Sequence, residues 1–231
     1  MTSPIILALD TDDLATAISW IEATRESVDI YKVGLEFFLK FGSAGLQELS
    51  KQGNFQFFLD LKLHDIPNTV SGAVASIRDL KPRFLTVHAS GGSAMIRAAA
   101  DAAPEVAITA VTVLTSLDEP ELHKMGINST PLALATSLAT NSVSAGAKAI
   151  VCSPLEVAAI RELVSEDIAL ITPGVRPADS NLEDQSRVMT PRDAIRAGAT
   201  FIVVGRPITS YFNKSAQAMR ERAAEIKESI S

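Results

Sequence analysis

The sequence predicts a single-domain (β/α)8 barrel, a fold of the α/β class, from three observations. Eight short apolar runs rich in β-formers recur along the 231 residues. Segments with helical spacing, rich in Ala, Leu, Glu and Arg, separate them, and this alternation indicates parallel strands joined by crossovers. The average of about 29 residues per unit fits a compact barrel. We therefore expect one barrel domain over residues 1–231.

The eight predicted strands follow one another in chain order: 5–10, 30–36, 57–65, 84–89, 108–115, 149–154, 169–175 and 201–206. Helical spacing is clear in 14–24, 154–164 and 215–230. Two connections, 116–130 and 176–190, are long, and long loops inside a compact domain often act as lids or binding loops. A plain solvated loop is the alternative for the second of them.

A doubly wound open sheet is the structural alternative. It usually has fewer strands and, when it binds a dinucleotide, a G-x-G-x-x-G turn after the first strand. Here the first strand runs into LALDTDDL, which contains no glycine. The barrel is therefore the favoured fold.

Composition and charge restrict the possible partners. The chain carries 21 basic and 27 acidic residues, a net charge of −6, so we expect no nucleic-acid partner. An anionic small substrate must then be captured by a local basic cluster. The single cysteine, Cys152, lies in the apolar run AIVCSP and is predicted to be a buried structural thiol.

The N-terminal run MTSPIILALD lacks the basic region and cleavage site of a signal peptide. No apolar run approaches the ~18 residues of a membrane helix. These features predict a soluble, cytoplasmic protein with no membrane partner.

The run FFLDLKLHDIPNTV places charge where a barrel should be apolar. Strand side chains alternate, so Asp60 and Lys62 share a face with Phe58, while Phe57, Leu59, Leu61 and Leu63 share the other. The apolar face suits the helices, so the charged one points into the barrel. Burial there costs several kcal/mol per ion unless partners are supplied. Function is the economical interpretation; a structural ion pair is the alternative.

Polar and charged residues recur at the ends of the other predicted strands. They are Asp10, Lys32 (within the second strand), His88, Thr115, Arg176 and Arg206. The C-terminal ends of barrel strands form the active site in this fold. Such residues at corresponding positions predict one catalytic cluster.

The runs TPGVRP and VGRPIT follow strands seven and eight, where this fold habitually binds phosphate. Gly205 lets backbone N–H groups approach an anion, and Arg206 adds charge-assisted donors. The alternative is a turn glycine beside a surface arginine. His64, His88 and His123 lack the paired spacing of a metal site, so no metal is expected.

These motifs resemble the orotidine 5′-monophosphate decarboxylase family over essentially the whole chain. LALD, KVGLEFF, FLDLKLHDIPNTV, VHASGG, VTVLTS, TPGVRP and VVGRPIT stand in the family's order and approximate spacing. The DLKLHDIPNT segment is the most specific of them. The resemblance implies decarboxylation of orotidine 5′-monophosphate to UMP, without metal or organic cofactor, by a homodimer with shared active sites.

The resemblance also implies roles for single residues. Lys62 would donate a proton to C6 of the pyrimidine, within a charge network of Lys32, Asp60 and Asp65. Asp65 and Thr69 would come from the partner subunit. The implied substrate contacts are Asp10, Lys32 and Thr69 for the ribose, Thr115 for the pyrimidine, and Arg176, Gln185, Gly205 and Arg206 for the phosphate.

Two other functions remain open at this point. Related sugar-phosphate decarboxylases and aldolases share the D-x-K-x-x-D strand but use a metal, with an acidic ligand where this chain has Lys32. A phosphate- or nucleotide-sensing barrel could keep Gly205 and Arg206 but has no use for two inward lysines beside two carboxylates.

Overall fold

The computed structural model describes residues 3–177 and 189–230, and its eight parallel strands close into a barrel in chain order. The strands are β1 (Ile5–Ala8), β2 (Ile30–Gly34), β3 (Gln56–Leu63), β4 (Phe84–His88), β5 (Ala107–Val111), β6 (Ala149–Val151), β7 (Ala169–Thr172) and β8 (Phe201–Val204). β1 pairs with both β2 and β8, which closes the sheet. The predicted (β/α)8 barrel is confirmed.

Helices alternate with the strands. In the described residues they are α1 (Leu14–Thr24), α2 (Leu35–Ser50), α3 (Pro67–Ile77), α4 (Gly92–Ala102), α5 (Glu119–Lys124), α6 (Pro131–Ser144), α7 (Val157–Arg161), α8 (Pro191–Arg196), α9 (Arg206–Thr209) and α10 (Ala216–Ile230). None of these helices is long and apolar enough to cross a membrane.

Alternation along each strand divides the core into two layers. Outward side chains such as Leu7, Val33 and Leu59 pack with the helices. Inward side chains such as Ile6 and Phe58 form a separate cluster inside the barrel. Both faces of every strand are therefore buried, as expected for a parallel sheet covered by helices.

The N-terminal end of the barrel is closed by a cation over aromatic rings. The Arg83 guanidinium lies 5.1 Å from the ring centroid of Phe84 and 4.9 Å from that of Phe201. It also donates to Gln56 Oε1 at 2.7 Å. These contacts leave the C-terminal end as the open mouth.

Several strand ends differ from the sequence prediction. β5 ends at Val111, so Thr115 lies in the following loop and not, as expected, at the end of a strand. The 116–130 connection is not wholly irregular, because α5 lies within it, capped by Asp118, whose carboxylate accepts from Glu121 N. The predicted helix at 154–164 is helical only over Val157–Arg161. The ends of these strands and helices are set by turn and cap geometry, which cannot be read from a run of apolar residues.

The two ends of the 176–190 connection lie side by side. Val175 forms a parallel bridge with Met189, and Arg176 N donates to Met189 O at 3.1 Å. Residues 175–176 and residue 189 therefore lie next to each other.

Candidate active site

Two lysines and two carboxylates form a continuous chain of ion pairs at the barrel mouth. Lys62 Nζ lies 2.7 Å from Asp60 Oδ1, and Lys32 Nζ lies 3.5 Å from Asp60 Oδ2. Lys32 Nζ also lies 3.1 Å from Asp10 Oδ1. The order is Asp10, Lys32, Asp60, Lys62, so each charge has only opposite charges as nearest neighbours.

The two central residues of this series of ion pairs, Lys32 and Asp60, are largely buried. The side chains of Asp60 and Lys32 are 14% and 12% exposed, whereas that of Asp10 is 64% exposed. Burial by itself would raise the pKa of the Asp60 carboxyl. The charges of Lys32 and Lys62, with hydrogen bonds from Lys62 and Thr86, outweigh burial and hold that pKa below its usual value. Asp60 is therefore an anion at neutral pH.

The backbone of β3 is irregular where it carries these charges. The β3–β4 register shifts between Leu59 and Leu63, and Lys62 has φ of +48°, which is uncommon for a residue other than glycine. The Lys62 N–H donates to Thr86 Oγ1 at 2.8 Å, and Thr86 donates to Asp60 Oδ1 at 3.1 Å. Thr86 was not among the residues predicted for the site, although a polar side chain on the inward face of β4 is a signal that the sequence carries.

Two histidine rings lie next to the charged chain. The rings of His64 and His88 have centroids 5.4 Å apart. Burial, with the nearby charges of His64 and Lys62, lowers the pKa of His88 despite the opposing effect of Asp60. A neutral His88 is thus favoured at neutral pH. Among the described residues, no group of three or more His, Cys, Asp or Glu could hold a metal ion.

Two adjoining cavities share Lys32, Asp60 and Lys62. One of about 200 Å³ continues inward from the charges to an apolar wall and also reaches Thr115; its wall includes Phe58, Val111, Val151 and Val203. The other, of about 250 Å³, opens beside Asp10 and Gly34. The first cavity thus combines an apolar wall with charged groups, and the second has the Asp10 and Glu36 carboxylates in its lining.

Gly205 and Arg206 directly follow β8, at the C-terminal end of the barrel. A Cβ atom on Gly205 would lie 3.5 Å from Ala8 Cβ and 3.7 Å from Asp10 Oδ2, so this glycine is close to the charged chain. Arg206 begins α9 and is exposed. Arg176 follows β7 at the same end of the barrel. Gln185 lies outside the described residues.

In the part of the chain that the structure describes, neither Asp65 nor Thr69 lines the two cavities that share Lys32, Asp60 and Lys62. Residues 64–69 are all exposed, and Asp65 Oδ1 accepts from Ile66 N at 2.6 Å. Over residues 3–177 and 189–230, no ion pair links Asp65 to Lys32 or Lys62. Cys152 is buried as predicted, and burial raises the pKa of its thiol to about 12, so it is not a nucleophile at neutral pH.

Fold and site together define a class: a (β/α)8 barrel with alternating lysines and carboxylates at its C-terminal mouth and glycine and arginine after its last strand. The family profile described as "Orotidine 5'-phosphate decarboxylase / HUMPS family" matches residues 3–220. The chain belongs to this family.

Curated relatives and solved structures agree with that assignment. An orotidine 5'-phosphate decarboxylase of Thermobifida fusca is 51% identical over 209 residues, covering 90% of each chain. One of Opitutus terrae is 42% identical over 234 residues, covering 98% of this chain and 100% of the relative. The crystal structure of orotidine 5'-phosphate decarboxylase from Lactobacillus acidophilus superposes with a TM-score of 0.84 at 34% identity, covering 99% of each chain.

Proposed function

We propose that this protein decarboxylates orotidine 5′-monophosphate to UMP and CO2, the last step of UMP biosynthesis, with Lys62 as the proton donor to C6. The observation that carries the proposal is the Lys62–Asp60 pair of 2.7 Å at the edge of an apolar cavity. The names of the relatives at 42–51% identity support the same substrate.

The chemistry explains why a barrel would hold these charges. Loss of CO2 from C6 leaves an in-plane electron pair that the π system of the ring cannot delocalise. An ammonium held at that carbon stabilises the developing anion and then protonates it. The Asp60 carboxylate holds the Lys62 ammonium in place through one oxygen, and Lys32 balances the second oxygen of Asp60. The scheme requires no metal or organic cofactor.

The rest of the nucleotide would extend along the mouth. The pyrimidine would occupy the apolar cavity near Thr115, and the ribose would lie beside Asp10 and Lys32. The phosphate would bind at Gly205, Arg206 and Arg176, with Gln185 as a further contact. Phosphate is remote from C6, so its binding energy can order the charged groups and aid catalysis as well as affinity.

We further propose a homodimer in which Asp65 and Thr69 serve the partner's site. Ile66, between these two residues, is 66% exposed, and Leu35 and Leu39 on α2 are 47% and 79% exposed. Apolar side chains exposed beside a charged mouth favour coverage by another surface. A second copy would cover them and bring Asp65 to Lys62.

Metal-dependent members of the family are the first alternative. Lys32 stands where they present an acidic ligand, and its ammonium, 3.5 Å from Asp60, opposes Mg²⁺ at that carboxylate. A nucleotide sensor is the second alternative, but binding alone does not need a buried Asp60 between two lysines.

The test is the ultraviolet absorbance of orotidine 5′-monophosphate, followed with and without EDTA. We expect conversion to UMP at equal rates in both. Tight binding with unchanged absorbance would favour a sensor, and loss of turnover in EDTA would favour the metal-dependent chemistry.

A further inference from the structure

We propose that Thr86 is a positioning residue for the reaction, because its hydroxyl couples the backbone of Lys62 to the carboxylate of Asp60. The inference rests on the proposed role of Lys62 in decarboxylation. It concerns a residue of β4 that touches both charged residues of β3 and contributes no charge of its own.

The backbone of Lys62 has an unusual conformation that its neighbours must hold in place. A residue other than glycine in the left-handed region is strained and persists only where its surroundings hold it. Here φ is +48°, and the regular β3–β4 pairing is interrupted between Leu59 and Leu63. The Lys62 N–H therefore needs an acceptor other than a ladder carbonyl, and Thr86 Oγ1 at 2.8 Å provides it.

The Thr86 hydroxyl takes part in two hydrogen bonds, one as an acceptor and one as a donor. Thr86 Oγ1 accepts from Lys62 N, so its single proton is free to donate, and Asp60 Oδ1 lies 3.1 Å away. The same oxygen receives the Lys62 ammonium at 2.7 Å. Both groups of Lys62 are thus linked to Asp60: the ammonium directly, and the backbone N–H through the Thr86 hydroxyl. The hydroxyl selects a single position for the ammonium.

The neighbouring strand offers a matched control. Thr109 is the Cα partner of Thr86 in the β4–β5 ladder, and both residues are fully buried. The Thr109 hydroxyl donates to Ala107 O on its own strand at 2.9 Å. Thr109→Val therefore removes a hydroxyl from the same layer of the barrel without touching the charged chain.

The experiment compares Thr86→Val, Thr86→Ser and Thr109→Val by kcat, KM and UMP affinity, with far-ultraviolet circular dichroism as a check of folding. Misplacement of a reacting group by about 1 Å can cost on the order of 100-fold in rate. We expect Thr86→Val to lose about 10- to 100-fold in kcat, with KM and UMP affinity changed far less. Thr86→Ser should recover most of the loss, and Thr109→Val should keep wild-type kcat.

Three results would overturn the positioning role. They are a wild-type kcat in Thr86→Val, a serine variant as slow as the valine variant, or an equal loss of kcat in Thr109→Val. If Thr86→Val does not fold, Thr86→Ala replaces it under the same criteria. A wild-type enzyme that does not convert the nucleotide would instead overturn the proposed function, and the positioning role with it.

Discussion

Lys32 Nζ, on β2, lies 3.5 Å from Oδ2 of Asp60 on the neighbouring strand β3. The other carboxylate oxygen of Asp60, Oδ1, lies 2.7 Å from Lys62 Nζ. One buried carboxylate thus holds two ammonium groups, and both of them line the two adjoining cavities. Removing either lysine leaves Asp60 with less compensation for its burial.

Lys62→Ala should abolish turnover while UMP binding largely survives. The substitution removes both the proton donor and the charge opposite the developing anion, and general acid catalysis alone contributes about 100- to 10,000-fold. We expect kcat to fall at least about 1,000-fold, measured by the absorbance assay beside UMP affinity. Lys51→Ala, at a surface lysine paired with Glu48, is the control. A near-normal rate in Lys62→Ala would refute the donor assignment.

Arg206→Ala should weaken binding that depends on the phosphate. Hydrogen bonds to charged groups contribute about 1.5–3 kcal/mol, so KM for the nucleotide should rise about 10- to 100-fold. Inhibition by UMP should weaken equally, while affinity for uridine, which lacks the phosphate, should not change. Arg220→Ala, at an exposed arginine of α10, serves as the control. Unaltered KM and UMP inhibition would count against the phosphate role.

Arg83→Ala should lower stability without slowing the reaction, because Arg83 closes the barrel end opposite the charged mouth. Loss of its contacts with Phe84, Phe201 and Gln56 should reduce the free energy of unfolding by about 1–2 kcal/mol. Urea denaturation measures this change, and kcat measures the site. Arg78→Ala, at a surface arginine, should stay within about 0.5 kcal/mol of wild type. A large fall in kcat would show that the two ends are coupled.

His88 should make stability depend on pH below the ordinary histidine pKa of about 6.5. Its pKa is lowered in the fold by burial and then by His64 and Lys62. As pH falls below about 6.5, His88 becomes protonated in the unfolded chain before it does so in the folded protein. The free energy of unfolding therefore decreases. The Tm of wild type should therefore fall more steeply from pH 7 to 5 than that of His88→Asn. His123→Asn, at a half-exposed histidine of α5, should follow wild type. Parallel curves for wild type and His88→Asn would contradict the shift.

Ile66→Glu should separate the proposed dimer and slow the reaction. A charge at this exposed apolar side chain would be buried by the partner, and the separated subunit would lack Asp65 from its partner. Sedimentation should show a monomer, and kcat/KM should fall by at least about 10-fold at low protein concentration. Leu163→Glu changes a comparably exposed leucine and should leave assembly intact. A wild-type protein that sediments as a monomer would rule out the shared site.

The inward direction of Asp60 and Lys62 was predictable because strand alternation is a local rule. Phe58 does lie in the inner cluster, and Leu59 and Leu61 do pack with the helices. The strand end at Val111 was not predictable, because Val113 and Leu114 continue the apolar run beyond the end of β5, and Thr112 N still donates to Val151 O at 3.1 Å. A run of apolar residues indicates that a segment is buried, but it does not show which of its residues pair with the neighbouring strand.

The sequence by itself determined the repeat of eight strands, the inward charges of β3 and the glycine and arginine after β8. Each is a property of neighbouring residues, carried by a short period or a motif. Only the tertiary structure decided that Thr86 accepts the Lys62 N–H, that Lys32 reaches both Asp10 and Asp60, and that Arg83 caps two rings. Apart from the contact between the adjacent residues Arg83 and Phe84, these contacts join residues 22–118 positions apart. They depend on register and barrel closure, which no local pattern encodes.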